Sequence, residues 1–130
     1  GAARELESRY CSLAHGRVLA TRFHTPQEVA AIATGADDAP VDQRDKAVIA
    51  YAAQVARDAM AITAGDVDVL RGHGLSDAEI LEVTAAAAVR CFFAKVLDAL
   101  GVEPDAEVLG LDPVLVRALA PARRSQGSAA

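Results

Sequence analysis

Hydrophobic and polar residues follow one another along most of this chain with the period of an α-helix. The clearest case lies between residues 42 and 60, where apolar residues recur at spacings of four, three and four: Val48, Ala52, Val55 and Ala59. Polar residues fill the opposite face of that segment, as in an amphipathic helix that is packed on one side. No segment shows the alternation that is typical of a strand. The pattern predicts an all-α fold.

Helix start signals divide the chain further. Thr25, Thr63 and Ser76 are each followed three residues later by an acidic residue, which is the spacing of a capping box. Together with the periodicity, these signals predict six helices, near residues 3–20, 26–33, 42–60, 64–72, 77–100 and 113–119. A chain of 130 residues has the usual size of one domain. We expect a single helical domain over residues 1–120 and a flexible C-terminal tail over 121–130.

The predicted helix 77–100 is apolar over most of its circumference. Its polar stripe is narrow and consists of Glu79, Glu82 and Arg90. Such a helix belongs at the centre of a bundle or in a contact between subunits. Because a short chain has few helices with which to cover it, we expect a homo-oligomer. Cys91 lies among apolar residues of this helix and is expected to be a buried, unreactive core thiol.

Composition and charge exclude several classes of partner. Hydrophobic residues make up 52% of the chain, and the net charge is -5 with basic residues scattered along it, so we expect no nucleic-acid partner. No apolar run approaches the roughly 20 residues that span a bilayer, and no window resembles a signal peptide. We therefore expect no membrane partner and a cytoplasmic location. In such a chain, two cysteines are more often free thiols than a structural disulfide.

Candidate chemistry is concentrated in the segment ESRYCSLAHG, residues 7–16. Each residue of a helix advances by about 100°, so Cys11 and His15 would lie one turn apart on one face, with Ser8 and Glu7 about one turn before Cys11. A free thiol is only about 3% ionised at pH 7. A nearby imidazole can take its proton, and a carboxylate can stabilise the imidazolium. The candidate catalytic residues are Cys11, His15, Ser8 and Glu7.

Simpler interpretations of the same residues stay open. Cysteine is among the most frequently buried residues, so Cys11 and His15 could be two ordinary residues of a packed helix, and Glu7 could be a solvated one. A metal would need more ligands than a cysteine and a histidine four residues apart. His24 and His73 both stand beside turn signals, where they are expected to be loop or cap residues. We therefore expect no metal and no cofactor.

The segment SRYCSLAHG resembles the Cys-x-x-Cys-x-x-x-His motif of the alkylhydroperoxidase D-like superfamily, which includes the carboxymuconolactone decarboxylases. Cys11 matches the second cysteine of the motif, and His15 matches the histidine. The segment GLSDAEI and the long apolar helix before LGVEP are also similar to the C-terminal half of that family. The resemblance extends over about residues 4–105. It implies an alkylhydroperoxidase D-like helical bundle that assembles as a homo-oligomer.

Two departures from the family pattern affect the expected chemistry. Ser8 stands where the redox members of the family have the first cysteine, so Cys11 lacks the neighbouring thiol with which it would close a disulfide. The acid that polarises the histidine in the family would fall ahead of Gly1, and the family's N-terminal helices are missing from the match. Glu7 and Glu5 are then stand-ins for that acid by proximity alone.

The resemblance leaves three possible functions. In the first, Cys11 attacks a peroxide, His15 acts as the base, and an external thiol completes the cycle. In the second, His15 is central to acid–base chemistry on a small carboxylated lactone or a related acid, as in a decarboxylase. The third is a non-catalytic helical oligomer. Ser8 counts against the first function, whereas Cys11 and His15 count against the third. We expect a peroxidase-type oxidoreductase whose small-molecule substrate is a peroxide or a small organic acid.

Overall fold

The computed structural model describes residues 1–106 and 110–120. Its α-helices are α1 (Ala2–Glu5), α2 (Arg9–Arg22), α3 (Pro26–Thr34), α4 (Gln43–Asp58), α5 (Ala64–Gly72), α6 (Asp77–Ala99) and α7 (Pro113–Leu119). A 3₁₀ turn, Ala59–Ala61, extends α4. No β-strand occurs within the described ranges, and the prediction of an all-α fold is confirmed. The predicted tail, 121–130, lies outside the described residues.

Five of the predicted helices begin where the capping residues place them. Thr25, Thr63 and Ser76 each accept a hydrogen bond from the backbone N–H three residues on, and the acidic side chain of that residue accepts one in return. Asp42 and Asp112 cap α4 and α7 through their carboxylates. These bonds satisfy N–H groups that a helix leaves free at its first turn. Local hydrogen bonding therefore accounts for the starts of α3 to α7.

The prediction of one continuous helix over residues 3–20 is wrong. Helix α1 ends at Glu5, Glu7 adopts a left-handed backbone with φ of 51°, and Ser8 is extended and precedes α2. Such a φ is uncommon outside glycine, and no proline or glycine marks the break. The break allows α1 to pack against α4, where the Glu5 carboxylate accepts hydrogen bonds of 2.6 and 3.0 Å from the Arg57 guanidinium.

The main hydrophobic core lies between α1, α4, α5 and α6. Its buried members are Ala2, Tyr51, Val55, Leu70, Leu75, Ile80 and Ala87. The hydroxyls of Tyr51 and Thr84 are hydrogen-bonded at 3.1 Å, which joins α4 to α6 inside this core. Helix α2 packs mainly against α3 and α7, with Leu13 and Leu115 fully buried. The candidate residues of α2 therefore lie at the side of the main core and not within it.

A glycine allows α7 to approach α2 closely. A Cβ added to Gly16 would overlap Leu119 Cδ1, far inside van der Waals contact. A side chain at residue 16 would therefore require the Leu119 side chain of α7 to move.

Helix α6 is buried along one side only. Ile80, Ala87 and Ala94 face the rest of the chain. The opposite side is an exposed stripe of large apolar residues, which we call the outer face of α6: Leu81, Val89, Phe92, Phe93, Val96 and Leu100. At 100° per residue these six residues fall within about a third of the circumference. Among the described residues, α6 thus packs through one side and leaves an apolar face exposed.

Across the described ranges, the hydrophobic length of every helix falls short of what crossing a membrane requires.

Candidate functional site

Cys11 is a buried free thiol in the first turn of α2. Its relative exposure is 2%, and it is the third residue of the helix. The first turn of a helix carries partial positive charge. The Nη1 atom of Arg90 lies 4.0 Å from the Cys11 Sγ atom, within hydrogen-bonding range for sulfur. Cys11 therefore lies between a helix N-terminus and a guanidinium.

The sequence places Arg90 on the polar stripe of the predicted helix 77–100 and does not indicate it as a site residue. In the structure, its side chain points from α6 towards α2 and is half-buried. The guanidinium carbon also lies 5.9 Å from the centre of the Phe93 ring, which places a cation near an aromatic face. An arginine in an otherwise apolar segment is a sequence signal, but nothing in the sequence relates it to Cys11.

His15 lies one turn after Cys11 on α2. Its side chain is exposed, yet the surrounding protein removes enough water to lower the pKa of His15, and the charge of Arg90 lowers it further. The α-amino group of Gly1 adds a smaller effect in the same direction. Because an unperturbed histidine already titrates below pH 7, His15 is neutral at that pH and can accept a proton. The structure thus provides a free base on the helix that contains the thiol.

Ser8 is the N-cap residue of α2, and its side chain does not cap the helix. The residue is 1% exposed, and its Oγ atom has no hydrogen-bond partner. The Nε atom of the next residue, Arg9, is also buried without a partner. Buried polar atoms are nearly always hydrogen-bonded in native proteins. The start of α2 therefore contains two adjacent residues with polar groups that lack a partner.

The two glutamates differ from the predicted arrangement. Glu7 is exposed and lies in the break before α2, so it does not stack one helical turn below Cys11 as predicted. Glu5 is bound to Arg57, whose hydrogen bonds lower the pKa of Glu5. Among the described residues, no carboxylate is within ion-pair distance of His15. The acid that would polarise His15 is not supplied by Glu5.

Cys91 is a second free thiol, and it is less buried than Cys11. The prediction of a buried core thiol is wrong because α6 is not the central helix that its composition suggests. The described residues cover only one side of α6, and Cys91 lies near the edge of that side. Exposure alone therefore does not favour Cys11 over Cys91 as the more accessible thiol.

The other histidines belong to turns and helix ends. His24 Nδ1 lies 3.9 Å from Glu28 Oε2 just before α3, and His73 follows α5. A search of the described residues finds no group of three or more His, Cys, Asp or Glu side chains that could hold a metal ion.

Comparisons with known proteins give no further identification. No protein-family model matches the chain, and searches of curated proteins and of solved structures find no similar protein. The alkylhydroperoxidase D-like assignment therefore stays a prediction, based on the motif around Cys11 and His15.

Proposed function

We propose that this protein is an alkylhydroperoxidase D-like, thiol-dependent oxidoreductase of the peroxidase type, with Cys11 as the nucleophile and His15 as its base. The observation that supports this function best is the environment of Cys11. Its sulfur lies in the first turn of a helix and 4.0 Å from the Arg90 guanidinium. Thiolates are stabilised by helix N-termini and by neighbouring cations. Such surroundings are typical of reactive thiols and are not needed by a structural one.

The proposed reaction transfers one oxygen atom to sulfur. His15 takes the thiol proton, and the Cys11 sulfur attacks the terminal oxygen of a hydroperoxide. An S–O bond forms as the O–O bond breaks, and the leaving alkoxide takes a proton from His15 to become an alcohol. Sulfur is oxidised by two electrons to a sulfenic acid, and the peroxide is reduced by two.

An external thiol is proposed to complete the cycle. Ser8 offers a hydroxyl where a resolving cysteine would stand, so the sulfenic acid has no thiol partner within α2. A small thiol attacks the sulfenic sulfur and releases water, and a second thiol then regenerates Cys11 and leaves as a disulfide. Because this cycle needs free thiols, the proposal includes a reducing, cytoplasmic location.

The test is intact-mass analysis after brief treatment with hydrogen peroxide. We expect a gain of about 16 Da at Cys11, followed by a mixed disulfide when a small thiol is added. The Cys91→Ser variant should keep this behaviour, and the matched Cys11→Ser variant should lose it. His15→Gln and Arg90→Gln should slow oxidation of Cys11 by about tenfold or more.

Three outcomes would contradict the peroxidase proposal. The first is oxidation of Cys91 alone, since that thiol is more accessible. The second is no oxidation of either thiol. The third is a loss of two hydrogens with a Cys11–Cys91 disulfide in the digest, which would show that α6 provides a resolving thiol after all.

A decarboxylase-type function is supported by the surroundings of His15, which is exposed on α2 and whose pKa is lowered by partial removal of water and by the charge of Arg90. A neutral imidazole can act as a base without any thiol, and the chemistry would be acid–base catalysis on a small carboxylated lactone or a related acid. Here Cys11→Ser should keep most of the turnover of such a lactone, whereas His15→Gln should abolish it. The opposite pattern would favour the thiol function.

We also propose that the protein is a homo-oligomer that covers the outer face of α6. Phe92 is 64% exposed and Leu81 is 70% exposed, which is costly for large apolar side chains on one continuous stripe. Light scattering should give a multiple of the 13.5 kDa chain mass. Phe92→Glu should shift the protein towards the monomer. Val69→Glu, at an exposed apolar residue of α5, is the matched control and should not. A monomer in the unmodified protein would contradict this proposal.

A further inference from the structure

The start of α2 differs from the starts of the later helices. Helices α3 to α7 each have an N-cap side chain that accepts a backbone hydrogen bond. The N-cap of α2, Ser8, makes no such bond, although it is a residue type that commonly does. The N–H groups of Arg9, Tyr10 and Cys11 find no acceptor among the described residues, and Ser12 is the first residue of α2 whose N–H is bonded, to the Ser8 carbonyl at 3.0 Å.

Buried polar atoms without partners are concentrated at the same helix start. Ser8 Oγ and Arg9 Nε are the two such side-chain atoms within residues 1–106 and 110–120. They belong to adjacent residues, and Ser8 is almost completely buried. Two independent packing accidents would not be expected to coincide in this way. A bound group that hydrogen-bonds to both residues explains them together.

The available groups define the charge of that bound group. The backbone N–H groups and the guanidinium nitrogens are donors, and the Ser8 hydroxyl can donate as well. The partial charge of a helix N-terminus is positive, and the Arg90 guanidinium lies 4.0 Å from Cys11 Sγ. Of the nearest acidic residues, Glu5 is bound to Arg57 and Glu7 is exposed. The matching ligand is therefore a small anion with acceptor oxygens.

We propose that the start of α2 is a binding site for a carboxylate group, held by the Ser8 hydroxyl, the free N–H groups of the first turn and the Arg90 guanidinium. Because Arg90 also approaches the Cys11 sulfur, the carboxylate would lie beside the thiol. This inference rests on the proposed function only for the identity of the reacting thiol. Together, the two proposals predict that the substrate is a small organic peroxide or acid that bears a carboxylate.

The direct test is a titration of the ¹⁵N-labelled protein with sodium acetate, which replaces sodium chloride at constant ionic strength. We expect saturable shifts of the amide signals of Arg9, Tyr10 and Cys11, with saturation in the millimolar range that suits so small a ligand. Ser8→Ala and Arg90→Gln should each weaken this response by about fivefold or more. Arg22→Gln, which removes the same charge at the other end of α2, should not change it.

A second measurement does not depend on variants that might fold poorly. Iodoacetate and iodoacetamide alkylate the same thiolate, so the ratio of their rates cancels the ionised fraction of the thiol. Relative to a free cysteine peptide, we expect the ratio at Cys11 to favour the anionic iodoacetate by about fivefold or more. Added acetate should remove that preference. A ratio equal to that of the peptide, together with no saturable amide shift, would overturn the proposed site.

The carboxylate site and the peroxidase function can fail separately. The Cys11→Ser variant keeps the backbone donors, so it should still bind acetate although it cannot react with peroxide. Acetate binding without peroxide oxidation would leave the site and remove the function. Oxidation of Cys11 without acetate binding, or equal shifts with chloride, would leave the function and remove the site.

Discussion

Helices α2 and α6 each have a serine as the N-cap residue, and the two serines have opposite surroundings. Ser76 is exposed and takes part in a complete capping box, with its N–H and hydroxyl donating to Glu79 at 2.8 Å each. Ser8 is buried and makes no side-chain hydrogen bond. The start of α6 is therefore stabilised locally, by bonds that water could also provide. The start of α2 is held in place by packing, which leaves its donors free for another use.

This difference indicates which helix starts in a helical protein have donors available to bind a ligand. A complete capping box uses up the donors of its helix start and contributes to stability. An uncapped start that is buried keeps those donors, and keeping them buried is unfavourable unless a ligand uses them.

If packing holds α2 in place, loss of its central side chain should be the most costly change. Leu13 is fully buried, so Leu13→Ala should lower the free energy of unfolding by about 2 to 5 kcal/mol. Urea denaturation measures this change. Val69→Ala, on the exposed surface of α5, is the control and should have little effect. A loss below about 1 kcal/mol for Leu13→Ala would mean that α2 is not anchored by its packing.

Removal of the cap of α6 should have an intermediate effect. Ser76→Ala removes the hydroxyl that accepts a hydrogen bond from the Glu79 N–H and donates one to the Glu79 carboxylate. We expect the free energy of unfolding to fall by about 1 kcal/mol, the usual value of an N-cap. No loss in the same urea experiment would show that the α6 cap contributes no more than the uncapped Ser8.

The contribution of the α6 cap should depend on pH. Hydrogen bonds from Ser76, and then the charge of Arg44, hold the pKa of Glu79 below its usual value of 4.5. A carboxyl whose pKa is lower in the folded state stabilises the fold above its unfolded pKa, and this contribution is lost as the pH falls through the folded pKa. Glu79→Gln should thus be less stable than the unmodified protein near pH 7, and the difference should shrink as the pH falls below 4.5 and through the lowered pKa of the folded state. A pH-independent difference would refute this account.

Substitution of Ser8 should have the smallest effect on stability. Its hydroxyl has no partner, so Ser8→Ala removes no bond and relieves a buried polar atom. We expect the free energy of unfolding to stay within about 0.5 kcal/mol of the unmodified value, or to rise. A loss as large as that of Ser76→Ala would mean that the Ser8 hydroxyl is bonded in solution, and the contrast between the two serines would disappear.

The part of the fold that could be predicted is the part set by neighbouring residues. Thr25, Thr63 and Ser76 act on residues three positions away, so their effect is visible in the sequence. The break at Glu7 could not be predicted in this way. No local residue requires it, and it accompanies the packing of α1 on α4 and the pairing of Glu5 with Arg57.

In the candidate site too, only the features set by neighbouring residues could be predicted. The sequence places Cys11 and His15 one turn apart, and α2 contains both residues in that relation. It does not place Arg90 beside Cys11, because that contact depends on how α6 crosses α2. The predicted burial of Cys91 was also wrong, and again the reason is tertiary packing. Composition shows that α6 is apolar, but it does not show which side of α6 is packed against the other described helices.

The close contact between Gly16 and Leu119 has a consequence for folding during synthesis on the ribosome. The two residues are about a hundred positions apart, so the contact has high sequence separation and closes late. At roughly 5 to 20 residues per second, a ribosome needs on the order of 5 to 20 s to add the intervening segment. During that time α2 has been synthesised but its α7 neighbour has not. The nascent protein therefore passes through a period of seconds in which the helix containing Cys11 is incompletely covered.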